Sequence, residues 1–330
     1  MRPAIKAGLL WVWRDRDTLQ IGIDPRRAVA LRGMRGAAGL VGLLDGSRDL
    51  AQVFSAADER GIPRETVDRV IALLSQAGAL HDFPAGALRG LPDGTRGRLE
   101  PELATVSLAH GDADGGAAVL ARRQVAAVHV HGMGSVGSGV ASLLSAAGVG
   151  QVTITGAVDG EAVGAAEQTC QDRRNRPHTS PRPGLAVLAG SQHPELSAAL
   201  MRERIPHLAA SAGEAIGVVG PFVLPGESAC LRCLDLARAD RDPAWPFILA
   251  QAAGRDPSPP ACDAILATTV AAQATAQALI FIDRGAASSA VTNGTLELVL
   301  PGWQWRRRTW NPHRDCGCSR RTETCPRMRE

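Results

Sequence analysis

The chain has 330 residues, 45% of them hydrophobic and 21% charged, an ordinary globular composition with room for about two domains. A net charge of +3, with arginines spread along the chain, excludes the concentrated basic surface of a nucleic-acid-binding domain; Arg306, Arg307 and Arg308 read as a solvated strand end. Met1-Arg2-Pro3 and the short apolar patch at Leu9 to Val12 form neither a secretory signal nor the ~20 apolar residues of a membrane span. The expectation is a cytoplasmic protein with no membrane contact, whose seven cysteines serve as metal ligands and buried thiols rather than disulfides.

In chain order, Leu10 to Trp13 and Leu19 to Ile23 flank the polar turn Arg14 to Asp17, a hairpin pattern. Three helical stretches are predicted next. The first lies around Ala37 to Leu44, the second starts near Ser47 as N-cap, and the third runs from Glu65 to Gln76 with Val67, Val70, Ile71, Leu73 and Leu74 as its apolar stripe. Gly78 ends the third, and Ala79-Leu80-His81 reads as an edge strand. A hairpin with three helices describes a small winged-helix unit over residues 1–84. Residues 85–122 hold Gly and Pro without clear periodicity and read as a linker.

From 123 to 330 strands and helices alternate, which predicts an α/β domain with a mostly parallel sheet. Its first strand carries His129 and His131 on one face, read as core histidines or as ligands to an anion or metal. It then enters Gly132, Gly134 and Gly137 in a GxGxxG turn, where helix N-terminal amides can face a phosphate. Such a nucleotide site also needs a carboxylate about 20 residues on, and the second strand, Gln151 to Thr155, runs instead into Gly156-Ala157-Val158. Leu185 to Ala189, Ala215 to Val219 and Thr295 to Leu300 are further strands, and Ala264 to Ile282 is a small-residue helix.

Cys230 and Cys233 form a CxxC; Cys316 and Cys318 form a CxC much later. Two short-spaced thiolate pairs suit a closed, structural zinc site that would tie the C-terminal tail to the α/β core. His313 and Cys325 are substitute ligands, Cys170 and Cys262 packing residues, and a redox CxxC would instead follow the first strand of a thioredoxin-like unit.

The glycine turn, the helix ending AAGVG, the segment GPFVLPGESACLRC, the helix ATTVAAQATAQAL and the terminal CGC resemble the ThiF/E1-like superfamily, which adenylates the C-terminal glycine of ubiquitin-like and sulfur-carrier proteins. More narrowly, CLRCLDLARADRDPAWP and HRDCGC are similar to the E1-like partner proteins of azole-forming cyclodehydratases in ribosomal peptide biosynthesis. In that group a PqqD-like winged-helix element precedes the E1-like domain, and GIDPRRAVAL, LLDGSRDL and LLSQAGAL stand at the matching places. The resemblance implies a homodimer, a precursor peptide as ligand and a separate modifying enzyme as partner.

It also implies an ATP and magnesium site, from whose pattern this chain departs. Laid without gaps from Gly150, the ribose-binding Asp falls on Gly156, the Asn on Gly164 and the Arg on Glu167; only Gln168 remains, and the magnesium-binding Asp falls on Gln192; Asp159, three positions late, takes the ribose-binding place only if a gap is allowed. A Glu at the Arg position repels the triphosphate, and losing the second Asp removes a ligand of the metal that neutralises the phosphates. No catalytic residue is therefore assigned, and Gly132, Gly134, Gly137 and Gln168 are the contacts if nucleotide binding is retained.

The first reading is a non-catalytic scaffold that captures a leader peptide as an added strand beside the N-terminal hairpin, with Trp11, Trp13, Leu19 and Ile21 as the surface. The alternative is a divergent ATP-dependent adenylyltransferase acting on a protein or peptide C-terminus. A nicotinamide oxidoreductase rests on the glycine turn alone, and a DNA-binding winged helix lacks base-reading side chains beyond Arg64 and Arg69.

Overall fold

In the computed structural model, residues 1–82, 93–156, 183–190, 194–252, 261–285 and 289–318 are described, excepting the side chains of residues 93, 95 and 96. Two units are delimited, Met1–Ala121 and Arg122–Glu330.

The N-terminal unit holds the predicted hairpin: β2 (Trp11–Trp13) runs antiparallel to β3 (Leu19–Ile21), and β4 (Val29–Leu31) adds a third strand on the other side of β3. A second, two-stranded sheet pairs β1 (Pro3–Ile5) with β5 (Leu80–Asp82). The first predicted helix is a 3-10 turn, Ala38–Leu43. The second, α1 (Leu50–Asp58), is capped by Asp49 rather than Ser47: the Gln52 amide donates to Asp49 while the Asp49 amide donates to Gln52, a reciprocal capping box. The third, α2 (Arg64–Gln76), buries Val67, Val70 and Leu74. These join Leu19, Ile21, Leu31, Met34 and Leu40 in one core.

The stretch read as a linker carries helices instead: α3 (Asp93–His110) and α4 (Ala117–Val125). The periodicity was hidden because α3 contains Pro101 and almost no amphipathic contrast. Its C-terminal end is held by two cations, Lys6 just after β1 and Arg27 between β3 and β4. Lys6, 1% exposed, donates from Nζ to the Ser107 carbonyl at 2.7 Å, and Arg27 donates to the Leu108 carbonyl at 2.5 Å. Both carbonyls lie in the last turn of α3, where a positive charge is favourable, and that of Ser107 also accepts the Gly111 amide at 3.1 Å. Burial pushes the Lys6 ammonium below its usual range, partly offset by Asp112 and Asp114. The Asp82 amide donates to the Ala113 carbonyl, extending the edge of β5.

The C-terminal unit is a seven-stranded sheet in the order β12-β11-β10-β9-β8-β6-β7. Strands β6 (Ala127–His131), β7 (Gln151–Thr155), β8 (Leu185–Ala189) and β9 (His207–Gly213) run parallel. Strands β10 (Ile216–Val223), β11 (Gly294–Val299) and β12 (Gln304–Thr309) continue antiparallel. Helices α5 (Ser135–Ala146), α6 (Pro194–Arg202), α7 (Leu231–Ala239), α8 (Trp245–Ala252) and α9 (Ala264–Arg284) follow in chain order, and α5 and the long α9 cover one face over Val128, Val130, Val187 and Leu208. By length and composition α9 could cross a membrane, yet its Ala267, Ala271, Ala274 and Ala278 lie in this core. The small residues serve contact: a Cβ on Gly139 would stand 2.8 Å from the Ala271 Cβ.

Arg123 locks this layer from beneath. Its guanidinium forms a bidentate pair with Asp283 at 2.9 and 2.6 Å, both side chains nearly dry, and also donates to the Ala147 carbonyl at the end of α5. Removing one partner of such a pair typically costs about 3–5 kcal/mol because the other charge stays buried.

Because Lys6 and Arg27 find their acceptors on α3, a chain ending at residue 84 is expected to unfold at markedly lower denaturant than one carried to 121. Equal midpoints in urea would show that α3 contributes nothing to this unit.

Candidate functional site

Three places carry the residues singled out above: the glycine corner, the thiol cluster and the outer edge of β2.

At the corner, Gly132 follows β6 with φ +114, and Gly134 caps α5 in an extended conformation. A Cβ on Gly132 would sit 1.9 Å from the Ala189 carbonyl oxygen, and one on Gly137 would sit 1.7 Å from the Gly132 carbonyl oxygen. Both glycines are therefore demanded by the packing of β6, β8 and α5. Gly134 is not: a Cβ there meets open space. Gly156, at the position of the expected ribose-binding acid, has φ +140, and its Cβ would lie 3.2 Å from the Gly132 Cα and the Met133 nitrogen. An aspartate cannot enter there without moving the backbone. Gln168 lies outside the described residues, as do Asp159, Gly164, Glu167 and Gln192.

His129 and His131 lie on the sheet face opposite Val128 and Val130. His131 Nδ1 pairs with the Thr155 hydroxyl at 2.9 Å, while the buried Nε2 of His129 has no hydrogen-bond partner, and burial lowers its pKa. His207, the first residue of β9, is a buried structural histidine. Its Nδ1 bonds the Ile205 carbonyl and its Nε2 the Ser197 hydroxyl, a neutral ring kept neutral by burial.

The cysteines converge as their spacing predicted. Cys230 caps α7 (Leu231–Ala239), whose first turn carries Cys233, while Cys316 and Cys318 come from the tail. Their sulfurs lie 3.7 Å apart for Cys230 and Cys233, 3.4 Å for Cys230 and Cys316, and 3.2 Å for Cys233 and Cys318, and all four fall within 4.8 Å of one another. Four sulfurs at ~2.3 Å from one tetrahedral ion would stand at about this mutual spacing. The set is sulfur only and partly to fully buried, so it can hold a soft or borderline divalent ion. The Cys233 thiol is drawn below its usual range by the Cys230 thiol and by the His313 amide at 3.3 Å. His313 is not a fifth donor in this set: its ring bonds Asp240 at 3.0 Å and so latches the tail to α7. Trp310, 3% exposed, packs beside the cluster and donates to the Thr295 hydroxyl. Cys262 is partly buried and apart from the cluster; Cys170 and Cys325 lie outside the described residues.

On β2 every side chain is exposed, with Trp11 at 51% and Trp13 at 45%. Leu19 and Ile21 do not join that surface. Both are wholly buried in the N-terminal core: they share a face with their partners Trp13 and Trp11, but the core beneath covers β3 and leaves β2 exposed. The register decides which main-chain groups are free. The Gly22 amide bonds the Leu10 carbonyl and the Arg14 amide the Thr18 carbonyl, so by antiparallel alternation Leu10, Val12 and Arg14 bond β3. Trp11 and Trp13 then point their N–H and C=O groups to the open side. On the opposite edge of the sheet the Arg32 carbonyl, just past β4, is taken by Arg69. Composition could flag the tryptophans, but only the register shows which amides face outward.

No protein-family model and no curated protein matches the chain. Solved structures do. E. coli MccB with AMPCPP and MccA aligns at a TM-score of 0.67 and 14% identity, over 97% of this chain and 99% of that one. The Microcin C7 biosynthetic enzyme MccB in complex with N-formylated MccA gives 0.63 at 14% identity, over 97% and 100%. The heterocyclase TruD gives 0.64 at 17% identity, over 96% of this chain and 42% of TruD. At these identities the likeness is one of fold, and it agrees with the expected α/β class.

Titration of the reduced full chain with cobalt(II) is expected to give an intense thiolate-to-metal absorption that saturates at one ion, and Cys233→Ser is expected to weaken it strongly. A spectrum unchanged by that substitution would show that the four thiols do not act together.

Proposed function

We propose that this chain binds a precursor (leader) peptide in ribosomal peptide modification and presents it to a separate modifying enzyme, without itself catalysing the chemistry. The observation that carries the reading is the open edge of β2. An extended peptide laid there gains main-chain hydrogen bonds from Trp11 and Trp13 and apolar contact from two half-exposed indoles. The fold neighbours support it: MccB was solved with MccA, and TruD is a heterocyclase. In this reading the four thiolates of Cys230, Cys233, Cys316 and Cys318 hold structural zinc, a closed site with no position left for substrate.

The non-catalytic part rests on the corner. Gly132 and Gly137 have a sufficient reason in packing, and among the described residues Gly156 brings no acid and has a backbone conformation that strains any L side chain placed there. A second reading, a divergent adenylyltransferase, is favoured by Gly134, whose missing side chain packing does not require, and by MccB having been solved with AMPCPP.

Two measurements decide. Panning a random dodecapeptide display library on the full chain is expected to enrich binders, and Trp13→Pro to reduce their retention at least tenfold. That proline removes an outward N–H and leaves the ladder to β3 intact. An Ala30→Pro change on β4 that abolishes retention while Trp13→Pro does not would move the peptide to the other edge, and failure to enrich any binder would overturn the reading. Calorimetric titration with ATP and magnesium is expected to show no heat at millimolar nucleotide, with Gly156→Asp restoring none. Micromolar binding would favour the adenylyltransferase.

A further inference from the structure

A buried polar cluster sits where β1 and β5 meet the chain leaving α3. The buried Lys6 ammonium donates to the Ser107 carbonyl at 2.7 Å. On β5 the His81 ring is also buried, and a Cβ on Gly115 would stand 2.8 Å from its Nδ1, so the ring lies flush against the backbone there. The Asp82 amide donates to the Ala113 carbonyl at 2.6 Å. Asp114 accepts the amides of Gly116 and Ala118, both at 2.9 Å, at the start of α4. The charged groups around His81 are thus Lys6 from beyond β1, Asp82 of β5 and Asp114 of the α3–α4 connection, while Asp112, Asp114 and Arg27 surround Lys6.

Apolar burial does little to hold residues 107–116. Of these only Ser107 and Gly116 are buried, so no buried apolar side chain anchors the segment. The Ser107 hydroxyl is buried without a hydrogen-bond partner, and it regains one in water when the segment opens. Charge then decides between closed and open. Burial first, and then the Lys6 ammonium, hold the His81 ring below the ordinary histidine range, against a smaller opposing pull from Asp114 and Asp82. A proton on that ring sets a second cation in a dry site beside the first.

We propose that residues 107–116 form an acid-released clasp: they lie on β5 while His81 is neutral, and protonation of His81 beside the Lys6 ammonium frees them. The segment is the stretch by which the chain leaves the N-terminal unit. Its release loosens the passage into Arg122–Glu330 while the core of Leu19, Ile21, Leu31 and α2 stays folded. An open clasp takes the proton more readily than a closed one. The clasp is therefore at full strength above the ordinary histidine value of about 6.5, and weakens by up to about tenfold per pH unit below it until the closed state also titrates. Burial shifts Lys6 in the same sense, so the two groups do not cancel.

The test is amide hydrogen exchange of the full chain, expressed as protection factors. Between about pH 7.5 and about pH 5.5 the Asp82 amide and peptides within 107–116 are expected to lose roughly tenfold in protection, while α1 and α2 keep theirs. His81→Gln, which cannot take the proton, is expected to give the same protection at both values. Lys6→Met, which removes the neighbouring charge, is expected to move the loss to lower pH, and it supplies the test where His81→Gln does not close. Equal protection of the wild type at both values, or an undiminished loss in His81→Gln, would overturn the clasp. Loss that spreads to α1 and α2 would overturn it as acid unfolding of the whole unit. A pH dependence unmoved by Lys6→Met would overturn the part given to the paired cations.

Discussion

Main chain meets main chain at the corner of β6, β8 and α5, and there is no room for a Cβ at Gly132 or Gly137. The rest of the C-terminal unit depends on that approach. It sets the depth at which α5 lies on the sheet, hence where Gly139 meets α9 and where Ala147, at the end of α5, reaches the buried Arg123–Asp283 pair. A glycine motif that usually suggests a phosphate is accounted for by packing at two of its three positions. Gly156 closes the same corner from β7, with its backbone against Gly132 and Met133 where a nucleotide enzyme would place a carboxylate.

The thiol cluster serves the opposite end of the sheet. β12 is an edge strand whose Arg306, Arg307 and Arg308 are exposed, so burial alone holds it weakly. The tail beyond it is tied back by Trp310, by the ring of His313 on Asp240 and by Cys316 and Cys318 beside Cys230 and Cys233. A tetrahedral ion would convert these contacts into bonds between segments far apart in sequence.

The N-terminal unit offers the complementary feature, unsatisfied edges instead of closed packing. Three-residue strands leave few ladder bonds, and the core of Leu19, Ile21, Leu31 and the helices must hold the sheet while β2 stays open. Native proteins usually blunt such an edge. Here it keeps two tryptophans at its surface and arginines at its tip.

The sequence by itself determined the elements whose signals are local: the hairpin at 11–21, the amphipathic α2, the parallel strands, the glycine turn and the two thiol pairs. Each is written in a period, a turn or a short spacing. It could not show that α3 caps itself on Lys6 and Arg27, since a helix with Pro101 and no apolar stripe carries no periodic signal. Nor could it separate Trp11 and Trp13 from Leu19 and Ile21, because opposite residues of a hairpin share a face and only the core beneath decides which are covered. Register and close approach are relations between segments distant along the chain. The convergence of four sulfurs, the crowding at Gly156 and the meeting of His81 with Gly115 were decided by tertiary structure alone, where those distances are set.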